Sequence, residues 1–347
     1  MSQMPLPANT FVSACRRQNT SHTPVWLMRQ AGRYQPEYRE LRAKVGFLEL
    51  CHRPELAAKV TIDAANWLDT DAAILFADIL LILEPMGFDL EFVKGDGPAI
   101  HNPVRAAVDV ERVLDVETPE SLGYVYEAVK LIRRDLPKHR DLIGFAGAPF
   151  TLACYAIEGG GSRHYDKAKT FMYQNPQSFY QLMQKLTEAT IGYLNAQIAA
   201  GADVVQLFDS WVGNLSLRDY VAHVQPHMNR LFEGLTKGVP SIHFGTDTGH
   251  LLEAQRDAGG DVIGLDWRAN LDESWARLGS GVAVQGNLDP ILLLGPWSEI
   301  ERQTRLILDQ AANRPGHIFN LGHGILPSTP PDNVRRLVDF VHEYSKR

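Results

Sequence analysis

Eight short apolar runs, each followed by a turn and then by a helically spaced segment, constrain this chain more than any other feature. They are Val25-Trp26-Leu27-Met28, Ala73-Ile74-Leu75-Phe76, Ile143-Gly144-Phe145-Ala146, Val204-Val205-Gln206-Leu207-Phe208, Ser241-Ile242-His243-Phe244, Val262-Ile263-Gly264-Leu265, Val282-Ala283-Val284-Gln285 and Ile318-Phe319-Asn320-Leu321. Continuous apolar runs of this length suit strands buried on both faces, and their alternation with helical patterns is the signature of βα units on a parallel sheet. Asn175-Pro176 supplies an N-cap and a proline at the first helical position. Beyond it Phe179, Leu182, Met183, Leu186, Thr190, Tyr193, Leu194 and Ile198 fall on one stripe. Thr118-Pro119 repeats the start signal before Leu122 to Leu136, and Leu56 to Leu68 and Val334 to Tyr344 are two more amphipathic segments. The glycine-rich stretches Lys94 to Pro103 and Gly159 to Tyr165 read as loops on one domain rather than linkers.

A length of 347 residues holds one large α/β domain or two ordinary ones. Eight strand candidates with no composition shift favour a single (β/α)8 TIM-type barrel spanning residues 1–347, with a doubly wound sheet as the alternative. Both place chemistry at the carboxyl ends of strands. The apolar fraction of 45% and charged fraction of 22% are those of a soluble globular protein, and no run of about 18 apolar residues suggests a membrane span. The first residues, Met1 to Pro7, have neither a basic n-region nor an apolar h-region, so the cytoplasm is the expected compartment. Cys15, Cys51 and Cys154 are odd in number and far apart, which argues against a disulfide framework or a zinc site. A net charge of −7 gives no footprint for nucleic acid or an anionic membrane, so an anionic ligand must be met by locally concentrated arginines.

Polar residues stand at the ends of the runs: Arg29 after the first, Asp78 after the second, Asp209 and Ser210 after the fourth, His323 after the eighth. Arg29 and Arg33 bracket Gln30-Ala31-Gly32, and two guanidinium forks suit bidentate carboxylate binding, with Gly32 allowing close backbone approach. The bland alternative is a pair of surface arginines bridging to Glu37 or Glu40. Asp78 sits inside a long apolar stretch; it is either a helix N-cap or a carboxylate that stabilises a cation developing nearby. Tyr155 precedes Glu158-Gly159-Gly160-Gly161-Ser162, a run without the lysine of a phosphate loop. That run reads as a flexible lid or as an ordinary surface turn, and Tyr155 as a pocket or a core aromatic. The glycines around His323 leave its ring open to a ligand, whereas His243 reads as a core or rim histidine, and Asp247 and Asp266 as supporting acids. Dinucleotide, P-loop and serine-elbow motifs are absent, as is any metal-ligand spacing. The residues alone imply an enzyme acting on an anionic small molecule.

Pro24-Val25-Trp26-Leu27-Met28-Arg29-Gln30-Ala31-Gly32-Arg33-Tyr34 closely resembles the N-terminal signature of the uroporphyrinogen decarboxylase family, and Gly144-Phe145-Ala146-Gly147-Ala148-Pro149-Phe150-Thr151 resembles its second signature. The likeness continues through Tyr155 to Ser162, Gln206 to Ser210 and Asn320 to Gly324. It implies a distorted barrel, a homodimer with facing clefts, and decarboxylation of the four acetates of uroporphyrinogen III to give coproporphyrinogen III in heme biosynthesis, with no metal or organic cofactor. Carried onto this chain, the substrate contacts are Arg29, Gln30, Ala31, Gly32, Arg33, Phe47, Asp78, Tyr155, Ser210 and His323, with Asp78 and Arg29 as catalytic residues. Asp209 stands where relatives often have glutamate. Without a cofactor, the electron sink must be a protonated pyrrole ring, and Asp78 would stabilise that cation. Two rivals follow: a zinc-dependent corrinoid methyltransferase, against which His243-Phe244-Gly245 lacks the thiol of an H-x-C pair, and a non-catalytic tetrapyrrole-binding protein.

Overall fold

The computed structural model describes residues 9–93, 97–116 and 120–347. In chain order the strands are β1 (Ala72–Ile74), β2 (Leu90–Val93), β3 (Gly97–Ile100), β4 (Asp141–Gly147), β5 (Val204–Asp209), β6 (Ser241–Gly245), β7 (Val262–Gly264), β8 (Ala283–Gln285) and β9 (His317–Ile318). β1 and β4 to β9 form one seven-stranded sheet in the order β1-β4-β5-β6-β7-β8-β9, with every pairing parallel. Every residue of β4 is buried, as a strand covered on both faces requires.

The sheet is strongly curled. β5 and β8 are three places apart, which in a flat sheet is roughly 14 Å, yet Gln285 Nε2 donates to Gln206 Oε1 at 3.1 Å. Trp26 Nε1 in turn donates to Gln285 Oε1 at 2.8 Å, so three fully buried side chains meet inside the curl.

Seven of the eight apolar runs overlap strands of this sheet. The first, Val25 to Met28, does not form a strand: it makes a single parallel bridge, Val25 to Phe319. Its hydrogen bonds explain why. Phe319 N donates to Pro24 O at 2.8 Å, Trp26 N to Phe319 O at 3.4 Å, and Asp71 N to Val25 O at 2.9 Å, so the segment lies between the residue that follows β9 and the residue that precedes β1. One residue later the ladder is diverted to side chains, with Leu27 N donating to Gln30 Oε1 and Met28 N to Asn320 Oδ1.

The helices lie where periodicity places them: Pro54–Leu68, Gly123–Asp135, Pro176–Ala200 and Pro331–Tyr344. Phe179 to Leu194 of the expected stripe are buried and Ile198 is half-buried. Pro176 does open its helix, but the Asn175 side chain makes no cap bond. The Thr118-Pro119 signal and Met1 to Pro7 fall outside the described residues. Lys94 to Pro103 is not simply a loop: β2 and β3 pair antiparallel from Leu90–Ile100 to Val93–Gly97. The glycine run is held to this hairpin by a bridge from Ala99 to Gly160 and by Ile100 N donating to Gly159 O at 2.9 Å, so it is a pinned turn. No helix among the described residues is long and apolar enough to cross a membrane.

Candidate active site

Residues 27 to 35 form a loop tied to itself and to the sheet. Gln30 is the hub: its Oε1 accepts from Leu27 N at 3.1 Å, its Nε2 donates to Ala72 O at 3.1 Å, and its backbone carbonyl accepts from Tyr34 Oη at 2.7 Å. Gln35 Oε1 accepts from Gly32 N at 3.2 Å, and Ile325 N donates to Met28 O at 2.9 Å. These bonds hold Arg29 at φ 63°, a left-handed conformation that disfavours a side chain by about 1 kcal/mol. A Cβ on Gly32 would lie 2.9 Å from Arg29 O, so the turn needs glycine there.

The outcome is that Arg29 lies against the adjacent segment that follows β9. A Cβ on Gly324 would lie 2.5 Å from Arg29 Cδ, so the glycine after His323 is the floor on which the arginine rests. The charge of Arg29 is felt by Asp78, Tyr155 and His323, which places these four groups at one site. Neither Arg29 nor Arg33 forms an ion pair with Glu37 or Glu40 among the described residues. Both arginines are exposed residues.

Asp78 lies four residues beyond β1, half-buried. Its Oδ1 accepts from Leu80 N at 2.9 Å, so the capping use and the site use coexist: one carboxylate oxygen fixes the turn. Burial pushes its pKa up to about 6, against the lowering effect of the Leu80 bond and of Arg29. Burial also raises Tyr155 to about 12, with the Asp78 charge adding to it. His323 is driven down to about 4, first by burial and then by the charges of Arg29 and Arg268, so its imidazole is neutral near pH 7. Its ring stands edge-on to Trp267, with centroids 6.3 Å apart.

Tyr155 sits in the helix Pro149–Glu158, half-buried, with its ring 6.0 Å from that of Trp211. Ser210 directly follows β5 and precedes Trp211, and its carbonyl accepts from Thr246 Oγ1. Asp209 is fully buried beneath it and accepts from Thr151 Oγ1 at 3.1 Å. Phe47 opens a short helix and packs on Phe92 at 4.6 Å and Phe76 at 6.0 Å, forming an aromatic wall beside the turn that carries Asp78. Gln30 is 1% exposed with its side chain engaged, so it braces the loop rather than facing the mouth. Ala31 and Gly32 are half-buried beside it. His243 is a core histidine, fully buried, with Nε2 4.0 Å from Asp209 Oδ2. Asp266 is a supporting acid, bridged to Arg268 Nη1 at 2.6 Å.

Two arginines escaped the sequence reading. Arg42 lies over the Phe47 ring at 5.5 Å and, with Arg33, acts on Tyr38, adding a third cation to this side of the mouth. Arg268 stacks on Trp267 at 4.1 Å on the opposite side, near His323. Recurrence of arginine within residues 29 to 42 was the available signal for the first; the second had none beyond its neighbour Trp267. A depression of about 500 Å³ lies instead at the amino ends of β4 and β5, where Arg133 pairs with Asp203. Its openings are remote from the polar residues that follow the strands.

A curled parallel sheet whose strand ends gather arginines, one perturbed carboxylate, a tyrosine and a neutral histidine defines an α/β enzyme site for an anionic small molecule. The family model described as uroporphyrinogen decarboxylase matches residues 6–344. Proteins named uroporphyrinogen decarboxylase are similar throughout: that of Sorangium cellulosum is 57% identical, covering 96% of this chain and 95% of its own. That of Carboxydothermus hydrogenoformans is 54% identical, covering 97% of each. The chain belongs to the uroporphyrinogen decarboxylase family. Among solved structures, a methyltransferase from Methanosarcina mazei superposes with a TM-score of 0.78 at 21% identity, over 96% of this chain and 98% of its own, a likeness of fold.

Proposed function

We propose that this chain is a cofactor-independent carboxy-lyase that converts the four acetate side chains of uroporphyrinogen III to methyls, giving coproporphyrinogen III in heme biosynthesis. Membership of the family over nearly the whole chain supports the reading. The observation that carries it onto this structure is the half-buried Asp78 beyond the end of β1, held by Leu80 N at 2.9 Å, with burial raising its pKa against the charge of Arg29.

Each cycle begins with a proton added to a pyrrole carbon beside the acetate, which makes the ring an iminium-like cation. The bond between the methylene and the carboxylate breaks, CO2 leaves, and its electrons pass into the ring. A proton then adds to the methylene carbon and the first proton is lost, so one proton is consumed for each CO2 released. Asp78, ionised and facing the pyrrole N–H groups, stabilises the cation in a site poorer in water than bulk solvent. Arg29 and Arg33 hold carboxylates that remain, and Arg29 assists proton delivery. Phe47, Tyr155, Ser210 and His323 complete the contacts, with neutral His323 able to donate one hydrogen bond without adding charge. Ala31 and Gly32 meet the substrate through backbone, and Gln30 through the loop it braces.

The same reading takes residues 1–347 as one domain, with the Val25 segment completing a distorted (β/α)8 barrel between β9 and β1. It includes a homodimer and a cytoplasmic location. The test is an anaerobic assay with uroporphyrinogen III, followed by oxidation and chromatography of the porphyrins. Stepwise loss of carboxylates to the four-carboxylate product is expected. Binding without turnover would leave a tetrapyrrole-binding protein, and neither binding nor turnover would return the corrinoid methyltransferase reading.

A further inference from the structure

We propose a divalent metal site, of the kind that takes zinc, at the amino end of the strands, remote from the substrate mouth. His22, Asp71 and His342 converge there from three separate parts of the chain. His22 precedes the Val25 segment, Asp71 enters β1, and His342 lies in the last turn of the helix Pro331–Tyr344. His22 Nε2 is 2.8 Å from Asp71 Oδ1, and His342 Nε2 is 2.8 Å from Asp71 Oδ2. One ligand atom from each residue lies within 4.8 Å of the others. The rings stand at 77° with centroids 4.8 Å apart, so both direct a nitrogen at the same carboxylate.

Two imidazoles and one carboxylate form a nitrogen-rich set suited to zinc and its neighbours rather than to magnesium or calcium. Three protein ligands leave a coordination position for water. With bonds of about 2.0 Å, a tetrahedral ion separates its ligand atoms by about 3.3 Å, so with Asp71 binding through one oxygen the histidine paired to that oxygen at 2.8 Å must open by about half an ångström, and any wider separation, up to 4.8 Å, must close. Side-chain rotation at partly exposed residues supplies that: the side chains are 23%, 11% and 24% exposed, within reach of an ion from solvent.

The surroundings fit ligands that are already aimed. His22 Nδ1 lies 3.0 Å from Ser21 Oγ, the outer hydrogen bond that fixes a ligating ring. Val25 N donates to Asp71 Oδ2 at 2.7 Å, which orients the carboxylate. Thr23 N donates to Ser345 Oγ at 2.9 Å and Arg347 N to Ser21 O at 2.9 Å, tying the two histidine-bearing segments to each other. Asp69 and Asp339 lie close enough for their charges to act on His342, and they favour a cation. An ion here would clasp the beginning of the chain, the entry to β1 and the last helix.

The experiment uses the full chain, stripped with a chelator and desalted, titrated with Zn2+ against a chromophoric competitor and separately with Co2+. One equivalent of Zn2+ is expected to bind in the micromolar range or tighter and to raise the melting temperature. Co2+ should give a visible absorption band of low-coordinate nitrogen and oxygen ligation. His342→Gln and His22→Gln should each weaken Zn2+ binding by at least tenfold and abolish the band, while anaerobic decarboxylation without added metal persists. Absence of saturable uptake by the folded wild type would overturn the proposal. So would uptake unchanged in both variants, each checked for folding by circular dichroism. If one variant fails to fold, the other decides, since His22 lies outside any helix or strand.

Discussion

Asp78 carries the sharpest conflict between folding and chemistry at the level of single residues. Its pKa is raised from 3.8 to about 6, and a two-unit rise is worth about 3 kcal/mol against the charged form, reduced to about 2 kcal/mol by its partial exposure. An acid that holds its proton more tightly when folded destabilises the fold on ionising, so the penalty is absent below about pH 4 and complete above about pH 6. Asp78→Asn keeps the acceptor for Leu80 N and removes that charge. Its melting temperature should rise by roughly 3 °C at pH 8 and not at pH 4 in scanning calorimetry, while kcat falls by about 100-fold or more. Retention of kcat would remove Asp78 from the chemistry. In the wild type, kcat/KM should decline below about pH 6 as one group protonates, with no contribution from His323, which is already neutral down to about 4. Arg33→Ala should act differently: a carboxylate contact worth about 1.5 kcal/mol is lost in ground and transition states alike, so KM rises about tenfold with kcat nearly unchanged. A collapsed kcat at constant KM would contradict the anchoring role.

The element that makes these residues a site is the loop from residue 27 to 35, and its logic is only partly visible in the sequence. The arginines and their spacing were legible because guanidinium pairs around a glycine have few structural uses. What Gln30 does was not, because its partners are Leu27 and Ala72, and the second of these is 42 residues away. Strands were legible where they are buried on both faces, since a run such as Val204 to Phe208 has no competing reading. The β2–β3 hairpin was not, because Gly97 and Pro98 are depleted in strands and point to a loop. The Val25 run failed for the reverse reason: its residues suit a strand, but side chains of Gln30 and Asn320 take its amides. Gln30→Ala would leave Leu27 N without a partner, reduce Ala72 O to its bond from Thr70 Oγ1 at 3.0 Å, and release Arg29 from its left-handed turn. We expect a loss of about 2–4 kcal/mol in urea unfolding at unchanged m-value, together with a fall in kcat. A loss below about 1 kcal/mol would show that the loop holds its shape without the glutamine.

Convergence of distant strand ends is a property of the whole molecule, and no local pattern encodes it. Asp78 and His323 share the field of Arg29 only because the sheet curls, and the curl is visible in the buried contact of Trp26, Gln285 and Gln206. These three polar side chains are fully buried, so each bond among them protects a donor or acceptor that water cannot reach. Gln285→Leu removes the central member and orphans Trp26 Nε1 and Gln206 Oε1, at about 1–3 kcal/mol for each. Gln206→Leu breaks only the outer bond and should be milder. If the contact spans the interior as a unit, the double variant should be less destabilised than the two single losses added together, by about 1 kcal/mol or more in a double-mutant cycle. Additivity would mean that the two glutamines do not sense each other, and the curl would then rest on apolar packing alone. The site supplies an independent reading of the same strain: a curl loosened by Gln285→Leu moves β9 relative to β1, which separates His323 and Gly324 from Asp78. Turnover should therefore fall in step with stability in the Gln285 variant, although Gln285 itself lies in the buried interior rather than among the mouth residues.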